Sequence, residues 1–153
     1  MDVVTNVALV GVGRWGKNLL RVLDERCVVS VCCNKSDPAV HIWLKEHYPH
    51  IKSTFDYNEV LENRNIDRVV IATPIATHAE LACRALEAGK HVFVEKPLAT
   101  NARDAEAMVA TATSHGRVLF VGHVFRYHPV LKKVKEITKQ DPVSFARMSW
   151  TKL

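Results

Sequence analysis

The fold is decided by the stretch Val7-Ala8-Leu9-Val10-Gly11-Val12-Gly13-Arg14-Trp15-Gly16, in which an apolar run leads into three spaced glycines. The apolar run predicts a buried strand, and residues 18–23 predict a helix. In such a unit Gly11 permits the tight turn, Gly13 lets the backbone approach a diphosphate, and Gly16 lets helix and strand pack closely. The helix then presents free N–H groups and its positive dipole end to the phosphates. This context favours a dinucleotide-binding loop over an ordinary glycine turn.

Short β-branched runs alternate with longer helical stretches along the rest of the chain. The predicted strands are residues 7–10, 28–33, 51–54, 69–72, 91–94 and 118–121, with a further one at 143–150. The later predicted helices are residues 39–47, 57–63, 76–87, 101–114 and 129–139. Because parallel strands are most easily joined by a crossing helix, this alternation predicts an α/β fold with a doubly wound, mostly parallel sheet.

The chain is moderately basic, with 21 Lys and Arg against 16 Asp and Glu and a formal net charge of +5. One interpretation of this charge is nucleic-acid binding. However, the cations are scattered apart from Lys132, Lys133 and Lys135, which predict a solvated helix face, and no groove-reading motif accompanies them. A modest positive charge also suits a polyanionic dinucleotide. We therefore expect no nucleic-acid partner.

The four cysteines, Cys27, Cys32, Cys33 and Cys83, lie in apolar runs and form no C-x-x-C pair. Cys32 and Cys33 are neighbours on a predicted strand, so their side chains are expected on opposite faces. This pattern predicts free, buried thiols rather than a disulfide or a zinc site. The sequence shows neither an apolar run of membrane-spanning length nor the features of a signal peptide. We expect a cytoplasmic protein with no membrane partner.

The end of the second predicted strand departs from the usual NAD site, where an Asp or Glu bonds the ribose 2′-hydroxyl. This chain has Asn34, Lys35 and Ser36 there, and its first acid is Asp37. Because no carboxylate repels it, a 2′-phosphate can be held by these three residues, which favours NADP as the cofactor. The alternative is that they form an exposed turn and Asn34 bonds the ribose of NAD.

Three further segments point to a known family. They are Ala72-Thr73-Pro74 with Thr77-His78, Ala88-Gly89-Lys90-His91-Val92-Phe93-Val94-Glu95-Lys96-Pro97, and Val121-Gly122-His123 with Arg126-Tyr127-His128-Pro129. Together with the glycine loop they make the chain resemble the Gfo/Idh/MocA oxidoreductases, named for glucose-fructose oxidoreductase and inositol dehydrogenase, over about residues 6–150. The resemblance implies a Rossmann NAD(P)-binding domain and hydride transfer to or from a carbinol carbon of a sugar, sugar nucleotide or cyclitol.

The resemblance also implies roles for individual residues. Lys96 is expected to be catalytic, because a cation hydrogen-bonded to the carbinol oxygen stabilises the negative charge that develops there. The expected cofactor-binding residues are Gly11, Val12, Gly13, Arg14, Trp15, Gly16, Asn34, Lys35, Ser36, Thr73, Pro74, Thr77, His78, Glu95, Lys96 and Pro97. The residues expected to face the substrate are His123, Arg126 and Tyr127.

Two of these assignments have alternatives, and a metal site is not expected. His78 is predicted either to contact the cofactor or to cap the following helix. Arg126 is predicted either to pair with a substrate carboxylate or phosphate or to form a surface salt bridge. The remaining histidines lack metal-ligand spacing; they include His41, His47, His50 and His115.

Within the family, residues 15–19 and Gly122-His123 most resemble bacterial dehydrogenases acting at the 3-position of UDP-N-acetylglucosaminuronic acid, although the Asp usual at the position of Cys33 is absent. Family members carry a second domain that builds the substrate wall and the oligomer interface. We expect residues 1–141 to form the NAD(P)-binding domain and 142–153 to begin a truncated second domain. The chain is then either a dehydrogenase fragment with poor turnover or a naturally short nucleotide-binding sensor or partner subunit.

The C-terminal segment contains apolar residues that predict a homo-oligomer. Apolar Val143, Phe145 and Trp150 lie where the second domain of the family would start. If that domain is missing, these side chains lose the surface that would cover them. We therefore predict self-association through the C-terminal segment.

Overall fold

A computed structural model describes residues 6–140, and the chain divides into two compact units after Gly122. The strands of the first unit are β1 (Asn6–Val10), β2 (Val28–Cys33), β3 (Lys52–Thr54), β4 (Arg68–Ile71), β5 (His91–Val94) and β6 (Leu119–Val121). Its α-helices are α1 (Arg14–Asp24), α2 (Pro38–His47), α3 (Tyr57–Glu62), α4 (His78–Glu87) and α5 (Ala102–Ser114). The described part of the second unit contains a 3₁₀ helix (Val124–Tyr127) and α6 (Pro129–Gln140).

The six strands form one sheet in the order β3-β2-β1-β4-β5-β6, and every neighbouring pair is parallel. This confirms the predicted doubly wound α/β fold. The chain builds outward from β1 to β3, then returns past β1 to continue through β4, β5 and β6. The order therefore reverses between β1 and β4, which is where ligands bind in open sheets of this kind.

The register aligns the carboxyl ends of the strands at one edge of the sheet. Val10 pairs with Cys33 on one side and Ile71 on the other, and Ile71 pairs with Val94, which pairs with Val121. The residues that leave these strands along this edge are Gly11, Asn34, Ala72, Glu95 and Gly122. Motifs that lie far apart in sequence thus begin next to one another in space.

Two apolar cores cover the two faces of the sheet, and Cys32 and Cys33 divide between them as predicted. Cys32 belongs to the core that includes Leu20 of α1 and Leu44 of α2, whereas Cys33 belongs to the core that includes Met108 of α5. All four cysteines are free thiols, although Cys27 and Cys83 are half-buried rather than buried. The alternation of side chains along β2 explains the division.

The helix after β4 starts differently from the prediction. A 3₁₀ helix, Ile75–Thr77, precedes α4, whereas the sequence predicted one continuous helix from residue 76. The Thr77 N–H donates to the Pro74 carbonyl at 2.9 Å, which closes the tighter turn. The short helix Val124–Tyr127 was not predicted. The predicted strand at 143–150, the boundary at 141 and the proposed self-association surface lie outside the described residues.

Two further features concern residues 6–140 alone. No helix within this range combines the length and apolar character needed to cross a lipid bilayer. The same range contains no group of three or more His, Cys, Asp or Glu residues placed to hold a metal ion.

We expect the stability of the protein to fall in alkaline solution through the two buried thiols. Burial raises the pKa of Cys32 to about 12 and that of Cys33 to about 11 from an ordinary value of 9.0. Because the folded state keeps protons that the unfolded chain releases, the stabilisation is complete below pH 9 and declines as the pH rises towards 11, by up to about 1.4 kcal/mol per pH unit for each thiol.

The measurement is the free energy of urea unfolding at about pH 8, 9 and 10, for the wild type and for a Cys32→Ala, Cys33→Ala double variant. The free energy of unfolding should decline less steeply with pH in the double variant, because that variant lacks both thiol protons. Parallel declines in the two proteins would contradict the assignment to these thiols.

Candidate functional site

A crevice of about 680 Å³ lies at the carboxyl edge of the sheet. It is bounded by the glycine loop after β1 and by the loops after β2, β3 and β4. The predicted cofactor residues that line it are Gly11, Gly13, Asn34, Lys35, Ser36, Thr73, Pro74 and Thr77. The crevice therefore joins three motifs that the sequence analysis treated separately.

Gly11 makes the turn from β1 into the crevice in a conformation that favours glycine. Its φ is +88°, and a Cβ atom there would stand 2.7 Å from the Ala72 carbonyl oxygen and 2.8 Å from Cγ2 of Thr73. The Gly11 N–H donates to the Cys33 carbonyl at 2.9 Å. The turn is thus held between the ends of β2 and β4, and both its backbone angle and its close packing require glycine.

The other two glycines of the loop have different surroundings. A Cβ atom on Gly16 would stand 2.0 Å from the Gly11 carbonyl oxygen, so α1 packs directly against the turn. A Cβ atom on Gly13 would meet nothing within 4 Å. Packing within the protein therefore explains Gly11 and Gly16. At Gly13 the missing side chain instead leaves open space on the crevice wall, which a ligand can approach.

The start of α1 is suited to an anion. Its N-cap is Gly13, and no side chain accepts a hydrogen bond from its first turn, whereas Asp37 caps α2 and Asp56 caps α3. No acidic residue lies in the first turn, where Arg14 and Trp15 are exposed. The free N–H groups and the helix dipole can therefore receive a negatively charged group.

Asn34 supports the glycine loop from the neighbouring strand. It is 9% exposed, and its side-chain oxygen accepts a hydrogen bond from the Val12 N–H at 3.1 Å. The Asn34 N–H donates to the Thr54 carbonyl at 3.0 Å, which also ties it to β3. Val12 itself is fully buried, so within the loop its side chain packs into the core rather than facing the crevice.

Lys35 and Ser36 are exposed at the crevice, directly after Asn34. Asp37 follows them, and its carboxylate accepts a hydrogen bond from the Ala39 N–H at 2.9 Å as the N-cap of α2. Asp37 is not among the residues that line the crevice. The first acid after β2 is therefore engaged with a helix, and the positive charge of Lys35 stands beside the crevice.

His78 is placed between two loops rather than at the surface. It is 1% exposed, with Nε2 2.9 Å from the Thr73 carbonyl oxygen and Nδ1 3.0 Å from the Pro97 carbonyl oxygen. A neutral ring donates to one of these carbonyls and a protonated ring to both. The N-cap of α4 is Thr77, without a side-chain cap, so His78 does not cap that helix as one alternative predicted.

The loop that carries Lys96 follows β5. Glu95 is 8% exposed, and its Oε2 accepts a hydrogen bond from the Lys96 N–H at 3.2 Å. A Cβ atom on Gly122 would stand 3.2 Å from Glu95 Oε1, so the glycine leaves room for the carboxylate. Lys96 and Pro97 are exposed and joined by a cis peptide bond. Lys96 and Pro97 do not line the crevice, but His78 contacts both the Pro97 carbonyl and the carbonyl of Thr73, which is part of the crevice wall.

The residues predicted to face the substrate belong to the second unit. His123 precedes the 3₁₀ helix Val124–Tyr127, and the Arg126 N–H donates to the His123 carbonyl at 3.0 Å. His123, Arg126 and Tyr127 are all exposed. Arg126 forms no ion pair with any residue between 6 and 140, so the alternative of a surface salt bridge finds no partner there.

Part of the crevice wall was missed by the sequence analysis. The additional lining residues are Phe55, Asp56, Tyr57 and Asn58 after β3, and Glu80, Leu81 and Arg84 on α4. Arg84 donates to the Asn58 side-chain oxygen at 2.6 Å and lies 5.3 Å from the centroid of the Tyr57 ring. The residues after β3 reach this wall because β3 pairs with β2, and that pairing is not a local property of the sequence.

Comparison with known proteins places the chain among oxidoreductases. A family model described as an oxidoreductase family with an NAD-binding Rossmann fold matches residues 5–123. The 4-carboxy-2-hydroxymuconate-6-semialdehyde dehydrogenase of Sphingobium sp. is 38% identical over 126 residues, which cover 80% of this chain and 39% of that protein.

Two solved structures show the same relationship. A dehydrogenase from Chromobacterium violaceum, in complex with NADH and UDP-GlcNAcA, has a TM-score of 0.83 at 27% identity, covering 94% of this chain and 42% of that one. A 3-ketoreductase from Actinomadura kijaniata, in complex with NADP and TDP-benzene, has a TM-score of 0.78 at 27% identity, covering 89% and 42%. The chain spans about two fifths of the length of these relatives.

Substitution by alanine is expected to have different effects at Gly13 and Gly16, the second and third glycines of the loop. Gly16→Ala should lower the free energy of unfolding by about 2–3 kcal/mol or more, because the new methyl group collides with the Gly11 carbonyl. Gly13→Ala should change it by less than about 1 kcal/mol, since the methyl group enters open space at an N-cap. Urea unfolding of the two variants beside the wild type measures both effects, and equal losses would refute the distinction.

Proposed function

The chain belongs to the Gfo/Idh/MocA oxidoreductase family, and on that premise we propose that it is the nucleotide-binding part of an NAD(P)-dependent dehydrogenase or reductase. Its reaction transfers hydride to or from a carbinol carbon of a sugar, sugar nucleotide or cyclitol. The observation that carries the proposal is the glycine loop, whose Gly13 and uncapped α1 leave room and free N–H groups at the switch point of the sheet.

The residues present fit a dinucleotide. The first turn of α1 would receive the diphosphate, with the side chain of Arg14 adding positive charge nearby. Asn34 would hold the loop in shape from β2, while Thr73, Pro74 and Thr77 would form the wall after β4. When bound, the nicotinamide supplies the acceptor or donor of hydride.

Lys96 is the residue that we propose to act on the substrate. In the oxidative direction its neutral amine would accept the proton of the carbinol hydroxyl as hydride leaves the carbon, and in the reductive direction its ammonium group would hydrogen-bond the carbonyl oxygen and return that proton. Its backbone is held by Glu95, and Pro97 follows it directly. His123, Arg126 and Tyr127 are proposed to contact the substrate, with Arg126 suited to a carboxylate or a phosphate.

The proposed substrate class is supported by the names and ligands of relatives. They include a dehydrogenase solved with the sugar nucleotide UDP-GlcNAcA, a 3-ketoreductase and a semialdehyde dehydrogenase. We further propose a cytoplasmic location, which is supported by the buried thiols of Cys32 and Cys33 remaining free.

We propose NADP as the preferred cofactor. Lys35 and Ser36 are exposed at the crevice where the ribose would lie, and they provide a cation and a hydroxyl for a 2′-phosphate. Asp37 supports this choice because its carboxylate is engaged with α2. Relatives are known with either cofactor, since the two solved complexes contain NADH and NADP.

Removal of the Lys96 amine should separate binding from chemistry. We expect Lys96→Met to keep its affinity for the reduced nucleotide within about threefold, and to lower turnover of a sugar, sugar nucleotide or cyclitol by about 10²- to 10⁴-fold. Nucleotide fluorescence gives the affinity, and absorbance of the reduced nucleotide gives turnover. Lys45→Met, which changes an exposed lysine of α2, serves as the control. Equal turnover in Lys96→Met and the wild type would refute the catalytic role.

Cofactor preference should depend on Lys35. We expect the wild type to bind NADPH more tightly than NADH, and Lys35→Ala to weaken NADPH binding by about tenfold while leaving NADH unchanged, because the lost charge faces only the extra phosphate. Titrations of both nucleotides with wild type, Lys35→Ala and Lys45→Ala measure the effect. Unaltered NADPH affinity in Lys35→Ala would remove the phosphate role.

A further inference from the structure

The imidazole of His78 connects two loops that belong to different parts of the site. One carbonyl partner, that of Thr73, lies in the loop after β4, and the other, that of Pro97, lies in the loop after β5. At 1% exposure the ring has little surface to offer a ligand. Its ring nitrogens therefore contact the backbone of the two loops rather than a ligand.

The loop after β4 is itself packed against the glycine turn. A Cβ atom on Gly11 would stand 2.7 Å from the Ala72 carbonyl oxygen and 2.8 Å from Cγ2 of Thr73, so no gap separates the two segments. Thr77 Oγ1 lies 2.8 Å from both the Thr73 hydroxyl and the Pro74 carbonyl, so the end of this loop is hydrogen-bonded to its beginning. Thr73 consequently has a fixed position relative to the glycine turn.

The loop after β5 is held on both sides of Lys96. On one side the Lys96 N–H donates to Glu95 Oε2, and the Glu95 N–H donates to the Ile71 carbonyl at 2.9 Å. On the other side the Pro97 carbonyl is bound by His78 at 3.0 Å. The backbone at Lys96 is thus fixed while its side chain remains exposed.

We propose that His78 is a positioning residue, whose buried imidazole fixes the Lys96 loop relative to the glycine turn because its two ring nitrogens contact the carbonyls of Pro97 and Thr73. The inference rests on the proposed function in one respect, because Lys96 is the residue that acts on the substrate. Its physical basis is that both ring nitrogens lie within 3.0 Å of a loop carbonyl, so a neutral ring donates to one loop and packs against the other, whereas a protonated ring donates to both. Without the ring, this direct link between the two loops is lost.

The experiment compares variants that lose similar hydrogen bonds at opposite edges of the sheet. His78→Phe keeps a ring of similar volume but removes both ring nitrogens and the N–H that they carry. Lys90→Met is the matched control, because Lys90 is 5% exposed and its Nζ donates to the Asn63 and Ile66 carbonyls at 2.7 and 2.9 Å, before the start of β5. His78→Gln retains a side-chain N–H₂ donor and tests rescue; it also carries the comparison if His78→Phe does not fold.

The first measurement is amide hydrogen exchange of the ligand-free protein at Thr77 and Lys96, one in each loop. We expect His78→Phe to accelerate both amides by about tenfold or more relative to Lys90→Met, and His78→Gln to restore part of the protection. This result would show the two loops released together by the loss of one ring. Wild-type protection at either amide in His78→Phe, or equal acceleration in Lys90→Met, would overturn the proposal.

The second measurement follows acylation of the Lys96 amine by peptide mass spectrometry, with and without saturating NADPH. In the wild type and in Lys90→Met, the bound nucleotide should slow acylation by about fivefold or more, since the amine lies beside it. In His78→Phe, at nucleotide concentrations that still saturate the glycine loop, the slowing should fall below about twofold. Full slowing in His78→Phe would overturn the positioning role.

The acylation measurement on the wild type distinguishes failure of the proposed Lys96 role from failure of the proposed His78 role. If NADPH binds but does not slow Lys96 acylation in the wild type, the proposed role of Lys96 fails, while the exchange measurement still decides whether His78 joins the loops. If Lys96 is protected in the wild type and in His78→Phe alike, the proposed function stands and the positioning role of His78 is refuted.

Discussion

The contact between Gly16 and the Gly11 carbonyl oxygen is the constraint on which the crevice depends. With no side chain at Gly16, α1 begins directly against the turn that ends β1, at the point where the strand order reverses. This contact helps to bring the N–H groups of the first turn, which no side chain caps, to the ligand edge of the sheet. A larger residue would push the helix outward, and the amides would move with it.

Around this contact, buried polar side chains bind backbone instead of ligand. Asn34 holds the Val12 N–H, His78 holds the carbonyls of Thr73 and Pro97, and Glu95 holds the Lys96 N–H. Each of these contacts joins a buried side chain to the backbone of a loop at the site. The site therefore has an inner layer of residues that shape the loops. The exposed residues, including Lys35 and Lys96, are supported by that layer and remain available to ligands.

Helix capping also decides the charge of the crevice. Asp37 and Asp56 both follow strands at the carboxyl edge, and both carboxylates accept N–H groups at the start of the next helix. Negative charge is thereby directed towards the dipoles of α2 and α3, where it is stabilising. Within residues 6–140 no acidic side chain forms an ion pair with Lys35, so its charge remains available to a phosphate group at the crevice.

The positions of strands and helices, the parallel class of the sheet and the glycine loop were determined by the sequence itself. Apolar runs, β-branched residues and glycine spacing act over a few neighbouring residues, so they can be interpreted without knowing the fold. The strand order, and with it the wall formed by residues such as Tyr57 and Arg84, was decided by the tertiary structure. The roles of Asn34 and His78 were decided in the same way, because Val12 and Pro97 lie 22 and 19 residues away from them in sequence and meet them only through the register of the sheet.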